Sequence, residues 1–413
     1  MTAGPFGVFA RNRDFRWLFV AELVIFGGDW FVLVPLLGLL NKLTGGGLAG
    51  SLALAVDTGL GALLLPYTGT VADRVNRRTI VVVANLSAVL GIALLFIVHT
   101  GRTAWLALAA VGTVALAKAF AAPAVSAAIP NLVEPADLSA AVALTSTAWG
   151  TMTVVGASTG GLLAAALSPY TCFAMAAVSL AIAAALTYGV RRPMQRPREH
   201  GVAPPRTLAA IRESLRYLAG APRVRAVVTV KSAVGLGNGV LAVFPALAAL
   251  LHTGSAGTGL LFGVRGAGAL IGPFLLRAVI RWRGRLLPVL AGSMTVYGLG
   301  YLAVAVTPWF PVILGLILVA HTAGAGNWAM SSAALQAAVP DALRGRVLAT
   351  DLMIVTIVIS GSQVLVGLFI DHTPPRVLVA ACGAVTILYA LAWRVATRRL
   401  VGDSAAGTEA LSA

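Results

Sequence analysis

The chain has 413 residues, 59% of them hydrophobic and only 11% charged, with a net charge of +16 and a mean hydropathy of +0.91. Roughly a quarter of the residues of a soluble domain are charged, so this composition excludes an ordinary soluble protein and describes a polytopic membrane chain. The basic excess does not indicate a nucleic-acid binder either, because it is confined almost entirely to every second loop, which is a topology signal.

In chain order, Met1 to Arg16 is polar and basic. The apolar run that follows exceeds the ~7–15 residues of a signal-peptide core, so the first span is expected to stay in the mature protein. Apolar runs of at least ~18 residues predict twelve spans, at roughly 16–40, 47–71, 79–99, 103–126, 139–166, 169–190, 224–250, 256–277, 286–306, 309–338, 345–370 and 375–397. Several are longer than a perpendicular span needs, which implies tilt or extension beyond the bilayer. Even-numbered loops and both termini carry Arg11, Arg13, Arg16, Arg74, Arg77, Arg78, the run from Arg191 to Arg225, Arg277, Arg281, Arg283, Arg285, Arg344, Arg346, Arg394, Arg398 and Arg399. Odd-numbered loops carry only Lys42, Arg102 and Arg376. The positive-inside rule therefore predicts cytoplasmic termini. Attraction to anionic lipid is a secondary consequence.

The domain organisation expected is a six-span half at 1–190, a cytoplasmic linker at 191–223, a second six-span half at 224–400 and a tail at 401–413. The linker is rich in Pro and Arg, and the spacing of Leu208, Ile211, Leu215 and Leu218 predicts an amphipathic surface helix within it. The halves repeat weakly. Gly69-x-x-x-Asp73-Arg74 is echoed by Gly272-x-x-x-Leu276-Arg277, and Ala128-Ile129-Pro130 by Ala338-Val339-Pro340. Related six-helix halves place a substrate cavity at their interface near the bilayer midplane, which is the pattern of a secondary transporter.

Several stretches carry a resemblance to the major facilitator superfamily across all twelve spans. They are Gly27-Gly28-Asp29, the charged island Gly69 to Arg78, Pro123 with Ile129 to Val133, Gly156 to Gly161, and Pro340 to Val347. Within it the chain resembles the drug/proton antiporter branch that includes macrolide-efflux and siderophore-exporter proteins. The resemblance implies an all-α fold of twelve helices in two pseudo-symmetric halves. In the family, the acid equivalent to Asp73 is thought to bind the N-terminus of the eleventh helix and latch the halves together, an arrangement the helix dipole favours. The bland reading of Asp73 and Arg74 is a solvated topology loop. Gly156 to Gly161 reads as the antiporter motif of span five with Ala157 where proline is usual, and its small residues equally serve close helix packing.

Charges inside spans are costly and are functional candidates by default. Asp29, about 18 Å into span one, and Asp57, ~15 Å into span two, lie near the middle of a ~30 Å core. Glu22 precedes Asp29 by two turns and shares its helix face. Two readings stand for Asp29: a proton carrier, or the structural partner of an arginine such as Arg265. His321, mid-way along span ten, is either a proton relay or a hydrogen-bonded core residue. Expected proton-coupling residues are thus Asp29, Asp57, Glu22 and His321. Trp30, Trp149, Asn238, Arg265, Trp328 and Gln363 are expected to line the substrate cavity, with a helix break at Gly235 to Gly239 facing it. The expected cytoplasmic gate comprises Gly69, Asp73, Arg74, Arg77, Arg78, Lys118, Lys231 and Asp351, the lysines pairing with Glu22 and Asp351 between halves.

Cys172 and Cys382 stand alone in apolar runs, which supports neither a disulfide nor a metal site, and no catalytic or nucleotide-binding motif is present. The expectation is a non-enzymatic, proton-coupled exporter of a small amphipathic drug, siderophore or metabolite. It needs no cofactor beyond the proton gradient, its partners are substrate, protons and lipid, and it is a monomer in a prokaryotic inner membrane. A facilitator or lipid flippase on the same fold, or a non-transporting membrane sensor, are the alternatives.

Overall fold

A computed structural model describes residues 5–195, 207–279 and 286–400. Every regular element among them is helical: α1 Pro5–Arg11, α2 Arg13–Thr44, α3 Leu48–Arg74, α4 Arg77–Leu95, α5 Leu106–Leu132, α6 Leu138–Ala166, α7 Pro169–Tyr188, α8 Thr207–Gly220, α9 Pro222–Gly237, α10 Val240–Leu250, α11 Gly254–Val279, α12 Leu286–Val306, α13 Phe310–Ala338, α14 Asp341–Phe369 and α15 Pro375–Thr397. One 3-10 turn, Pro135–Asp137, precedes α6. Eleven segments are long and apolar enough to cross a membrane, α9 and α10 counting as one, and Leu48–Leu64 of α3 is a shorter apolar stretch. The twelve predicted spans therefore all appear as helices. With no water in the hydrocarbon to take backbone hydrogen bonds, an apolar run of this length has no other open-ended way to cross.

Local chemistry sets the helix ends. Asn76 caps α4 by accepting from the amides of Arg78 and Thr79, and Ser168 caps α7 with Pro169 in its first turn. Gly45 ends α2 in the left-handed conformation, φ 72°, and its amide returns to Asn41 O. The break expected at Gly235 to Gly239 is present, with α9 ending at Gly237 and α10 starting at Val240.

The chain forms two compact units. The first contains residues 1–204 and 244–266, the second 205–243 and 267–413. In the first, α2 packs against α6 and α7, and α4 against α5 and α7, with α3 on α5. A buried apolar cluster including Leu36, Leu40, Ala88, Ile92, Ala107, Ala110 and Phe173 joins α2, α4, α5 and α7. In the second, α9 packs against α14 and α15, and α12 against α13 and α15. Numbered as spans, pairs 1–5, 1–6, 3–4 and 3–6 recur as 7–11, 7–12, 9–10 and 9–12. The weak sequence repeat is thus a repeat of packing inside each unit.

Residues 244–266 join the first unit through backbone contact. A Cβ at Gly161 would fall 2.6 Å from Gly259 Cα, one at Gly259 2.5 Å from Ala157 O, and one at Gly263 2.3 Å from Ser158 Oγ. Only glycine allows α6 and α11 so close, so the small residues of span five and span eight serve this approach. The predicted surface helix appears as α8. Leu218 turns inward against Val224, Val228, Leu335 and Val347, and Glu213 pairs with Arg346 of α14.

Candidate functional site

Three charged side chains that lie far apart in sequence meet inside the first unit. Lys118 of α5 places Nζ 2.9 Å from Asp57 Oδ1 of α3 and 3.3 Å from Asp29 Oδ2 of α2. Gly28, next to Asp29, faces Ser179 of α7, where a Cβ would stand 3.1 Å from Ser179 Cβ, and Gly61, one turn beyond Asp57, faces Ala115 and Ala119 of α5. Two carboxyl groups thus share one ammonium, a formal excess of one acid over base in the cluster. All three side chains are partly open, at 34% for Lys118, 25% for Asp29 and 27% for Asp57.

This geometry decides two pairings that the sequence left open. Asp29 is the partner of Lys118, not of Arg265, whose guanidinium stands 5.7 Å from the ring centre of Trp149. Lys118 belongs to the acid cluster, not to a gate pair with Glu22, and Glu22 forms no ion pair among the described residues. Position in a span gives depth along one helix; which face meets which neighbour is decided by packing. Trp30, expected in a cavity, is buried against Phe262 at 5.3 Å between centroids, with Phe262 in turn on Phe244. Trp149 is exposed.

The second unit holds a charge pair of different character. Lys231 of α9 is ion-paired to Asp351 of α14, also donates to Ser332 Oγ of α13 at 3.0 Å, and lies 5.2 Å from the ring centre of Trp328. Both charged side chains are buried, at 1% and 5%. Lys231 and Asp351 were expected to bridge the two halves; their pair lies wholly within the second unit. Ser332 is a partner that sequence reasoning missed, because a serine on an apolar helix gives no signal of its own.

His321 is also in the second unit. Its Nε2 is 2.6 Å from Tyr301 Oη, within a ring cluster completed by Tyr297. Asn238 and Gln363, expected in the cavity, are buried. Asn238 bonds back to Val234 O, and the helix break is packed against its own unit: Gly237 lies against Tyr297 and Thr386, and Gly239 against Ser362 and Val366. The break therefore does not face open space; close helix contact, not a cavity, accounts for its glycines.

In the charged island, Gly69 has open space where a Cβ would stand, and Arg74 is exposed. Arg77 Nη1 donates to Ala127 O at 2.7 Å and Met194 O at 3.1 Å, while its Nε donates to Ala72 O at 3.3 Å. Asn131 donates to the same Met194 carbonyl. Arg77 thus ties the turn to the end of α5 and the start of the linker. Arg78 is partly buried at the first turn of α4. The side chain of Asp73, on which the latch reading rests, lies outside the described residues.

Sequence reasoning also missed a network at this end of the first unit. Arg11 pairs with Asp137 through Nε and Nη2 on one guanidinium edge, Asn12 Nδ2 donates to Asp137 Oδ2 at 2.8 Å, and Asn12 Oδ1 accepts from the amide of Glu134. The hydrogen bonds from Arg11, reinforced by Asn12, outweigh burial and hold the Asp137 carboxyl below the usual carboxylate range.

Stacked apolar helices, paired alike within each of two units, with a shared-acid cluster inside the first, define a multi-pass membrane protein. The family model described as transmembrane secretion effector matches residues 3–409. The chain belongs to that family of the major facilitator superfamily, whose members are membrane-embedded transporters of small molecules. An uncharacterised major-facilitator-type transporter of Bacillus subtilis, YceJ, is 29% identical over 188 residues, 44% of this chain; the match spans about half of the relative, 47%. Among solved structures, the peptide-transporter-family protein PepTSo superposes with a TM-score of 0.74 at 12% identity, covering 94% of this chain and 98% of its own. A bacterial homologue of the human lysosomal transporter Spinster gives 0.71 at 15% identity, with 95% and 98% covered. At these identities the structures establish the fold.

Proposed function

We propose that the chain is a proton-coupled antiporter that exports a small amphipathic compound by alternating access, its termini in the cytoplasm of a prokaryotic cell, with Asp29 and Asp57 as the proton-carrying acids. The observation that supports this is the sharing of Lys118 between them. A proton taken up by either acid moves the cluster from net −1 to neutral while Lys118 stays paired with the other. Loading and unloading therefore leave no unpaired ammonium in the membrane, a state that would cost several kcal/mol. A one-to-one pair has no such second partner. The partial exposure of all three side chains supplies the access that proton exchange needs. The amphipathic compound competes with the proton for the same excess negative charge, so binding of one releases the other.

Candidate amphipathic compounds added to purified protein in weakly buffered solution should release protons, and the release should fall by roughly tenfold or more in Asp29→Asn. In proteoliposomes, the same variant should lose export driven by a pH gradient. Export by the wild type that persists after the gradient is collapsed would overturn the coupling and favour a facilitator. Full proton release from the doubly substituted Asp29→Asn/Asp57→Asn protein would remove these acids from the mechanism.

A further inference from the structure

The surface helix α8 takes no part in the proposed proton chemistry, yet its sides are built for different neighbours. It ends at Gly220, and α9, which opens the spanning segment Pro222–Leu250, starts at Pro222. Leu218 shares one buried cluster with Val224 and Val228 of α9, Leu335 of α13 and Val347 of α14. The helix therefore lies across the ends of three spanning helices, at the level where a bilayer meets water.

A helix turns ~100° per residue, so positions three and four apart share a face. Ile211, Ser214 and Leu218 make the inward stripe, with Ser214 and Leu218 buried. Beside it runs a second stripe, Arg212, Leu215, Arg216 and Ala219, and all four side chains are exposed. Arg225 of α9 extends this stripe. Its Nη1 donates to Ala219 O at 3.0 Å, which brings an exposed guanidinium to the C-terminal end of α8, where the helix dipole favours a cation. Glu213 is the one acid of α8, and it turns to α14, where it pairs with Arg346.

Topology asks only that basic residues stand at this end of the span. It does not ask for their alignment on one flank with a leucine between them. Leu215 is 48% exposed at a position where acyl chains begin, and the guanidinium groups beside it stand where phosphates are. An apolar side chain flanked by cations matches that boundary on both counts.

We propose that this flank of α8 docks on anionic phospholipid headgroups of the adjoining leaflet, and that the Glu213–Arg346 pair passes the docking on to α14. Arg346 stands less than two turns before Asp351, the buried partner of Lys231. Docking of α8 thus steadies the start of the helix that carries that pair.

Hydrogen–deuterium exchange, read by mass spectrometry on the full chain in lipid nanodiscs, tests both parts. With about a third of phosphatidylglycerol in phosphatidylcholine, the amides of 207–220 should exchange on the order of tenfold more slowly than in phosphatidylcholine alone, because each arginine at an anionic surface favours the docked state about fivefold. The start of α14, 343–350, should slow with them. Arg212→Gln/Arg216→Gln should abolish both responses and leave exchange in pure phosphatidylcholine as in the wild type. If α8 loosens in that variant, salt replaces it: at ~0.5 M, where surface charge is screened, the wild-type response should vanish. Glu213→Ala should keep the response of α8 and lose that of α14. Equal exchange of α8 in the two lipids, or a response that survives both the double substitution and high salt, overturns the docking. The same slowing produced by glycerol phosphate added to phosphatidylcholine nanodiscs overturns the membrane as the partner. A start of α14 that ignores phosphatidylglycerol in the wild type, or still responds in Glu213→Ala, overturns the coupling.

Discussion

Two clusters of charge inside the membrane, one in each unit, use the same kinds of side chain to opposite ends. In the first unit, one lysine is divided between Asp29 and Asp57 and every member is a quarter to a third exposed. In the second, Lys231 and Asp351 pair one to one in near-complete burial, and the remaining donors of the ammonium are occupied by Ser332 and the Trp328 ring. Ratio and wetness together separate the two: in one a lysine is shared between partly exposed acids, in the other a single pair is sealed from solvent. An odd acid beside a shared cation can be neutralised without orphaning anything. A dry pair whose ammonium is fully engaged loses its balance whichever member is altered.

The largest effect should come from breaking the dry pair. Lys231→Met or Asp351→Leu alone leaves a buried, uncompensated charge and should cost about 3–5 kcal/mol, while the double substitution should recover most of that loss. Thermal or denaturant unfolding of detergent-solubilised protein measures the cycle, and additive losses would show that the two residues do not act as a pair. A smaller effect on stability, with a larger one on function, belongs to the first unit. Asp57→Asn still leaves Lys118 paired with Asp29, so stability should change by no more than ~1 kcal/mol, whereas proton release on addition of compound should fall. A loss as large as that of Asp351→Leu would erase the distinction between the clusters.

The smallest effect on pH behaviour should come from an ion pair outside the spans, Arg11 with Asp137. The Asp137 carboxyl is held below its ordinary value. Its contribution to stability is therefore fully present above the unfolded carboxylate value of ~3.9 and is lost only as pH falls through the lower folded value. Asp137→Asn should lower the melting temperature by the same amount at pH 6 and pH 8. A penalty that varied between those two pH values would mean that this pair, and not the acid cluster, carries a pH response near neutrality.

Much of the architecture was legible because hydrophobic length is a one-dimensional property. The apolar runs sit where the helices form, α12 and α15 beginning and ending at the predicted residues. The break at Gly235 to Gly239 was visible because five consecutive residues contain three glycines. Its surroundings were not visible, since glycine signals close approach equally to a cavity and to another helix, and here Tyr297, Thr386 and Ser362 do the approaching. Asp29 and Asp57 were legible as costly intramembrane acids. That Lys118 joins them, while Arg265 turns to Trp149, was not, since each long side chain reaches whichever partner its helix face meets.

By itself, the sequence determined that this is a membrane chain of twelve apolar spans with basic loops alternating with neutral ones, that its halves repeat, and that acids stand deep in spans one and two. Those conclusions follow from the cost of placing charge and open backbone in hydrocarbon, which every residue meets separately. Tertiary structure alone decided the partners: the division of Lys118 between two acids, the sealing of Lys231 with Asp351, and the pairing of Glu213 on α8 with Arg346 on α14. Each depends on the rotation and contact of neighbouring helices, and is felt only when another helix is present to come close.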